Sequence, residues 1–308
     1  MVIADRFGAA SNGPLRGNQA VTLDQVRGLP LHGQHYLGMS FKRVMVLLVL
    51  LGGLGLWAWK TRPQDGVFAL EYAQSSFPER LVIEGAAEEA RVDFGWYVFA
   101  VHDSNGWTLI DTGPAPQRPE VPFRLKYEIP VVQMLAEIGC RQVNNVILTH
   151  AHWDHAGGLA DYPDAQVWLG QAEWDALQEK FKAGAPDWQS GYRRADYEAI
   201  QAVQAQGRLH LFRDSSKITH TLNALVVGGH TPGMLAVAYK SQLVLAGDNA
   251  YLYRNLVEKP IPTASRSGED ALPKIRGMGG ATLIPGHEPA LLERFPSAGK
   301  RIARLSDS

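Results

Sequence analysis

Cysteine is nearly missing from this 308-residue chain, where Cys140 stands alone. An internal disulfide is therefore excluded, and so is a metal site built from several thiolates. Net charge is missing as well, with 30 Lys+Arg against 31 Asp+Glu and a formal charge of -1. That balance provides no electrostatic reason to bind nucleic acid or an anionic membrane surface. Charged residues form 20% of the chain and apolar residues 45%, which excludes a disordered, collagen-like or polytopic membrane protein. What the composition does hold is ten histidines. With thiolates excluded, any metal must rest on imidazole and carboxylate.

Only one long apolar run is present, and it lies near the start. Residues 1–38 are rich in Gly, Asn and Gln without apolar periodicity, and are expected to be unstructured or to precede a true start at Met39. Lys42 and Arg43 then stand ahead of the sixteen uncharged residues Val44–Trp59. A short basic region followed by such a run has the pattern of a bacterial secretory leader or a membrane anchor over 39–60. It is a little short for a spanning helix, which needs about 20 residues, and Trp57, Trp59 and Lys60 crowd the place of a small-residue cleavage site. The expectation is an exported protein, periplasmic or held at the inner membrane.

Beyond residue 65 about 240 residues remain, enough for one domain with a large core. Runs rich in Val, Ile, Phe and Trp predict strands at Val92–Val101, Trp107–Ile110, Val146–Thr149 and Val167–Leu169, then at Leu225–Val227, Leu235–Tyr239, Leu243–Ala246 and Thr282–Ile284. Helices are predicted over Ile129–Ile138, Gln171–Phe181, Tyr192–Gln206 and Gly268–Met278. Strand pairs mixed with helices, without strict alternation, imply a layered α/β fold rather than a barrel. The domain is expected over 66–296, with 297–308 as a C-terminal tail.

The strongest chemical signal is His150-Ala151-His152-Trp153-Asp154-His155, directly after the apolar run Val146–Thr149. In an extended segment alternate side chains share a face, so His150 and His152 project together. Asp154 and His155 follow where a helix is expected to start. Three imidazoles and a carboxylate in six residues supply the nitrogen and oxygen ligands that Zn²⁺ takes. The same placement recurs downstream. His230 in Gly228–Gly233, Asp248 after Leu243–Leu245, and His287 after Thr282–Ile284 each stand where a strand stops, among glycine or proline. Rigid sheets present binding residues at such positions. Cys140 reads as a small buried hydrophobe.

These motifs, in the order Asp-Thr-Gly, His-x-His-x-Asp-His, Gly-His-Thr-Pro-Gly, Gly-Asp and Pro-Gly-His, resemble the metallo-β-lactamase superfamily over roughly residues 66–296. The resemblance implies an αββα sandwich with two zinc ions at one edge. It assigns His150, His152 and His230 to the first zinc, and Asp154, His155 and His287 to the second, with Asp248 bridging. Asp111 takes the place of an Asp that holds the metal loops without touching zinc.

The reaction implied is hydrolysis, in which a hydroxide generated between two zinc ions attacks a carbonyl. Asp154 is then placed to pass a proton to the leaving group. Three positions after Asp248 stands Tyr251, and this Asp-x-x-Tyr resembles the segment of N-acyl-homoserine lactonases in which a phenol assists the lactone carbonyl. A small-molecule lactone, ester or thioester is the expected substrate, and lactone ring opening the expected reaction. A glyoxalase-II-like thioesterase shares all seven ligands. A secreted β-lactamase suits the leader but lacks a carboxylate at the position of Asp248. From another class, an exported zinc-binding protein without catalysis would have no use for the bridging Asp248.

Overall fold

Apolar residues on successive positions of one strand belong to opposite faces, and here both faces are buried. A computed structural model of the chain describes residues 64–116, 124–279 and 282–307. The segment 1–60, with its expected leader or anchor, lies outside the described residues. Among those described, no helix is long and apolar enough to cross a membrane.

In chain order the first half runs β1 (Gly66–Pro78), β2 (Arg91–Asp103), β3 (Gly106–Ile110), α1 (Val131–Glu137), β4 (Val143–Ile147), α2 (Trp153–Ala156), β5 (Gln166–Gly170) and α3 (Gln171–Lys180). A short hairpin of β6 (Trp188–Gln189) and β7 (Tyr192–Arg193) leads into α4 (Arg194–Ala205) and β8 (Leu209–Phe212). The second half runs β9 (Ser215–Lys217), β10 (Leu222–Val226), β11 (Leu235–Tyr239), β12 (Leu243–Leu245), α5 (Tyr253–Val257), α6 (Leu272–Arg276), β13 (Thr282–Ile284), α7 (Leu291–Arg294), β14 (Ser297–Gly299) and β15 (Ile302–Asp307).

Two sheets carry the fold, an eight-stranded one in the order β14-β15-β1-β2-β3-β4-β5-β8 and a five-stranded one in the order β13-β12-β11-β10-β9. Their facing sides share one core. Val67, Ala69, Phe99, Val101, Ile110 and Ile147 of the large sheet meet Leu222, Ala224, Leu235, Val237, Leu245 and Ile284 of the small one. The alternate residues Phe68, Leu70, Val98, Ala100, Leu109 and Val146 turn outward onto Met134, Leu135, Trp174, Leu177 and Ile200 of α1, α3 and α4. On the outer side of the small sheet, Met234, Ala236 and Val244 pack against Leu272 and Ile275 of α6. The layers are thus αββα, the arrangement that the family resemblance implies. Each large aliphatic side chain buried in this way contributes about 1.5–3 kcal/mol.

Three elements differ from expectation. The predicted tail 297–308 holds β14 and β15, and β15 pairs with β1 from Gly66 opposite Asp307 to Leu70 opposite Ile302. The sheet therefore continues past residue 296. The predicted helix over 192–206 begins only at Arg194, because Tyr192 and Arg193 pair with Gln189 and Trp188. The helix predicted over 268–278 is confined to Leu272–Arg276, where Pro273 sits in the first turn and the Asp270 carboxylate accepts from the Leu272 amide.

Candidate metal centre

Strands β3, β4, β12 and β13 each end in a loop at one edge of the sandwich, as does the β10–β11 connection. The seven predicted ligand side chains meet there. His150, His152 and His230 form one group of converging nitrogens, and Asp154, His155 and His287 form another. Asp248 lies between them. Its Oδ2 is 3.9 Å from His150 Nε2 and 3.6 Å from His230 Nε2, while its Oδ1 is 3.4 Å from His155 Nε2 and 3.1 Å from His287 Nε2. One carboxylate oxygen faces each group.

The local sequence explains how each ring is aimed. His152 is extended, and the α2 turn behind it carries Asp154 and His155 back toward His150. The His150 and His152 ring centroids stand 4.5 Å apart. Gly157 and Gly158 make this turn possible, since a Cβ on either would lie 2.4 Å from backbone atoms of Ala115 and Trp153 or of Thr112. Thr112 anchors the turn, its amide and hydroxyl both donating to the His155 carbonyl at 2.6 and 2.8 Å.

Asp111 sits in the left-handed region at φ 62°. Its carboxylate accepts from the Thr149 amide at 2.7 Å and from the Thr149 hydroxyl, and lies 2.8 Å from His155 Nδ1. His155 Nε2 is thereby left facing the cluster. His287 is oriented the same way. Its Nδ1 lies 2.8 Å from the Gly95 carbonyl, and the Gly95 amide donates back to the His287 carbonyl at 3.0 Å. Phe94 stacks on the His287 ring at 4.2 Å, and Trp96 meets its edge at 5.3 Å. His230 Nδ1 lies 2.7 Å from the Ser265 carbonyl, and Asn249 accepts from the His230 amide at 2.9 Å.

Electrostatics divide the histidines. Burial pushes His150 well below the usual histidine pKa, with His155 and His152 acting in the same direction. His152 is lowered to about 3, by burial first and His230 second. Both are neutral imidazoles near pH 7, the form that binds metal. Burial would lower His155 too, but Asp154, Asp248 and Asp111 outweigh it and hold its pKa well above the usual value. Burial raises the carboxyls of Asp154 and Asp248. His155 outweighs that for both, joined at Asp248 by His287, so both carboxyls lie below their ordinary value.

The residues fit a metal pair. His150 Nε2 is buried without a hydrogen-bond partner, and His155 Nε2 faces Asp154 Oδ2 at 3.2 Å and Asp248 Oδ1 at 3.4 Å. An unsatisfied buried polar atom costs about 1–3 kcal/mol, and these two nitrogens point into the cluster that holds the Asp248 oxygens. Imidazole nitrogen with carboxylate oxygen is the donor set of zinc.

The metallo-beta-lactamase superfamily model matches residues 90–287, more than half of the chain. The chain belongs to that superfamily. Its curated relatives are named as N-acyl homoserine lactonases and probable metallo-hydrolases. The N-acyl homoserine lactonase AttM of Rhizobium johnstonii is 28% identical over 171 residues, 51% of this chain and 62% of the relative. The match thus spans about three-fifths of that relative's length. Among solved structures, a quorum-quenching N-acyl homoserine lactone lactonase superposes with a TM-score of 0.61 over 76% of this chain and 97% of its own, at 15% identity. AidC, a dizinc quorum-quenching lactonase, superposes with a TM-score of 0.51 at 16% identity, over 73% of this chain and 86% of its own. At such identities the two structures speak for the fold alone.

Tyr251 is buried in the same loop as Asp248, with its hydroxyl 3.2 Å from His230 Nδ1. Trp153 packs on Trp96, Trp168 stacks on His210 and Trp174 on Tyr197, while Trp188 is 42% exposed on the β6–β7 hairpin. Several residues around the centre carried no motif. Tyr72 donates to the Asp154 carbonyl at 3.2 Å, and Glu173 accepts from the Ala151 amide between His150 and His152. The only sequence sign of Glu173 was a carboxylate in the first turn of a helix, which is common at exposed helix starts.

Proposed function

We propose that this chain is a dizinc hydrolase that opens lactone rings, with N-acyl homoserine lactones as the substrate class. His150, His152 and His230 would hold one zinc, Asp154, His155 and His287 the other, and Asp248 both. The observation that carries this reading is Asp248, whose two oxygens each face one triad, with the Tyr251 hydroxyl beside His230. The lactonase names of the curated relatives support the substrate class.

Two zinc ions at this centre would supply a water acidified toward neutral pH and a Lewis acid for a carbonyl oxygen. The chain's own residues do the rest. Burial, then the charges of Asp248 and Asp154, push the Tyr251 phenol well above its ordinary pKa. It stays protonated near pH 7 and can donate to the oxygen on which negative charge develops. Asp154 remains ionised in spite of burial and is placed to carry a proton to the ring oxygen that departs. Phe94, Trp96 and Trp153 are buried around the His287 side and keep water from that flank.

The test compares purified full-length protein, loaded with zinc, on lactones, thioesters and β-lactams. Lactones are expected to turn over fastest. Tyr251→Phe is expected to lower kcat by about 10²–10³, the loss found when one oxyanion donor is removed, with zinc content unchanged. A wild type much faster on thioesters or β-lactams would reassign the substrate. Unchanged kcat in the Phe variant would reduce Tyr251 to packing.

A further inference from the structure

We propose that Glu173 is the positioning residue that sets the geometry of the three-histidine group, a role that rests on reading His150, His152 and His230 as metal ligands. Glu173 occupies the first turn of α3 and is fully buried. A carboxylate there is ordinarily explained by attraction to the positive end of its own helix. Its hydrogen-bond partners point elsewhere. Oε1 accepts from the Ala151 amide at 3.1 Å and from the Tyr192 hydroxyl at 3.0 Å, and Oε2 accepts from the Gly233 amide at 3.1 Å. All three donors lie outside α3.

Each donor belongs to a segment that aims one of the histidines. Ala151 separates His150 from His152, so its amide fixes the peptide between two ligands. Gly233 ends the turn that starts at His230. The Tyr192 ring meets the His152 ring edge-on at 4.4 Å. One side chain thus spans the two loops that bring the three imidazoles together, and also the hairpin behind His152.

The fit around Glu173 is close. A Cβ on Gly233 would lie 2.1 Å from the Glu173 amide, and a Cβ on Gly170 would lie 2.4 Å from the Gly233 carbonyl. The His230 turn therefore rests directly on the start of α3. Donors approach both oxygens of the Glu173 carboxyl, whereas a carboxamide replaces one of the two acceptor oxygens with an NH₂ donor. Glutamine at this position would set its NH₂ against at least one of the three.

The experiment titrates metal-free full-length protein with zinc against a competing chromophoric chelator, for wild type and Glu173→Gln, and records the melting temperature of each metal-free form. The wild type is expected to take up two zinc ions. In the variant one of the two is expected to bind about 10–100-fold more weakly, the usual loss when a partner that orients a ligand is removed. The other should bind as before, and anomalous scattering from crystals should place the depletion among His150, His152 and His230. Should the Gln variant fail to fold, Glu173→Asp runs the same test, because it keeps the charge but shortens the reach by one methylene. Two zinc ions held as tightly as in wild type would overturn the proposal. So would equal weakening of both sites together with a large fall in the metal-free melting temperature, because that is the mark of a merely structural carboxylate. A wild type that binds no zinc would instead sink the reading of the histidines as ligands.

Discussion

At the scale of single residues, the centre is organised by groups that turn each histidine ring rather than by the ligands alone. Asp111 does this for His155. Its left-handed backbone at φ 62° is one that Asn also tolerates, so Asp111→Asn changes the chemistry with little backbone strain. The new Oδ1 can still accept from the Thr149 amide. The new NH₂, however, faces His155 Nδ1, which now lies 2.8 Å from a carboxylate oxygen. The ring is then driven to carry its proton on Nε2, the atom that faces Asp248. Zinc affinity in Asp111→Asn is expected to fall about 10–100-fold, as read by competition with a chelator. Affinity equal to wild type would remove Asp111 from this role.

At the scale of elements, the chain closes its large sheet with its last described strand. β15 pairs with β1, and Ile302 and Ala303 are buried on opposite faces of the sheet. Arg301, partly exposed, forms an ion pair with the buried Glu71 of β1, fastening the same junction. Because β1 also lies along β2, whose Gly95 and Phe94 orient His287, this edge supports the metal centre from behind. Ile302→Ala is expected to cost about 2–5 kcal/mol, as for other buried Ile→Ala changes, measured by urea denaturation. A loss below 0.5 kcal/mol, the range of ordinary surface changes, would mean that β15 is dispensable. The helices α3 and α4 form part of the outer layer on the large sheet, packing Trp174, Leu177, Ile200 and Val203 onto it.

At the scale of the whole molecule, two sheets leave their loops at one edge, and that edge concentrates buried carboxylates and imidazoles that fit a metal pair. Without metal, the buried His150 Nε2 has no hydrogen-bond partner, which opposes folding, and a metal bound to the folded state alone would stabilise it. Treatment with a strong chelator is therefore expected to lower the melting temperature, and added zinc to restore it. A ligand at 100 times its Kd stabilises by about 2.7 kcal/mol, or roughly 5–10 °C for a domain of this size. Scanning calorimetry that finds one melting temperature with and without metal would remove the structural contribution. The candidate residues of the centre were legible in the sequence because each follows an apolar run within a few residues, while their division between two metals came from the family resemblance. The layered α/β class was legible for the same local reason, since apolar runs and helical periodicities alternate within short windows. β1 and β15 were not, because residues such as Val67–Leu70 are apolar on both faces and carry no polar alternation until two cores receive them. Glu173 was hidden for a different reason. Its donors lie 22, 19 and 60 residues away, and a carboxylate in a first turn looks the same in sequence whether it faces water or two ligand loops. Which residues could bind metal was decided by local spacing; which residues hold those ligands in place was decided only when distant backbone amides were brought to the same buried oxygen atoms.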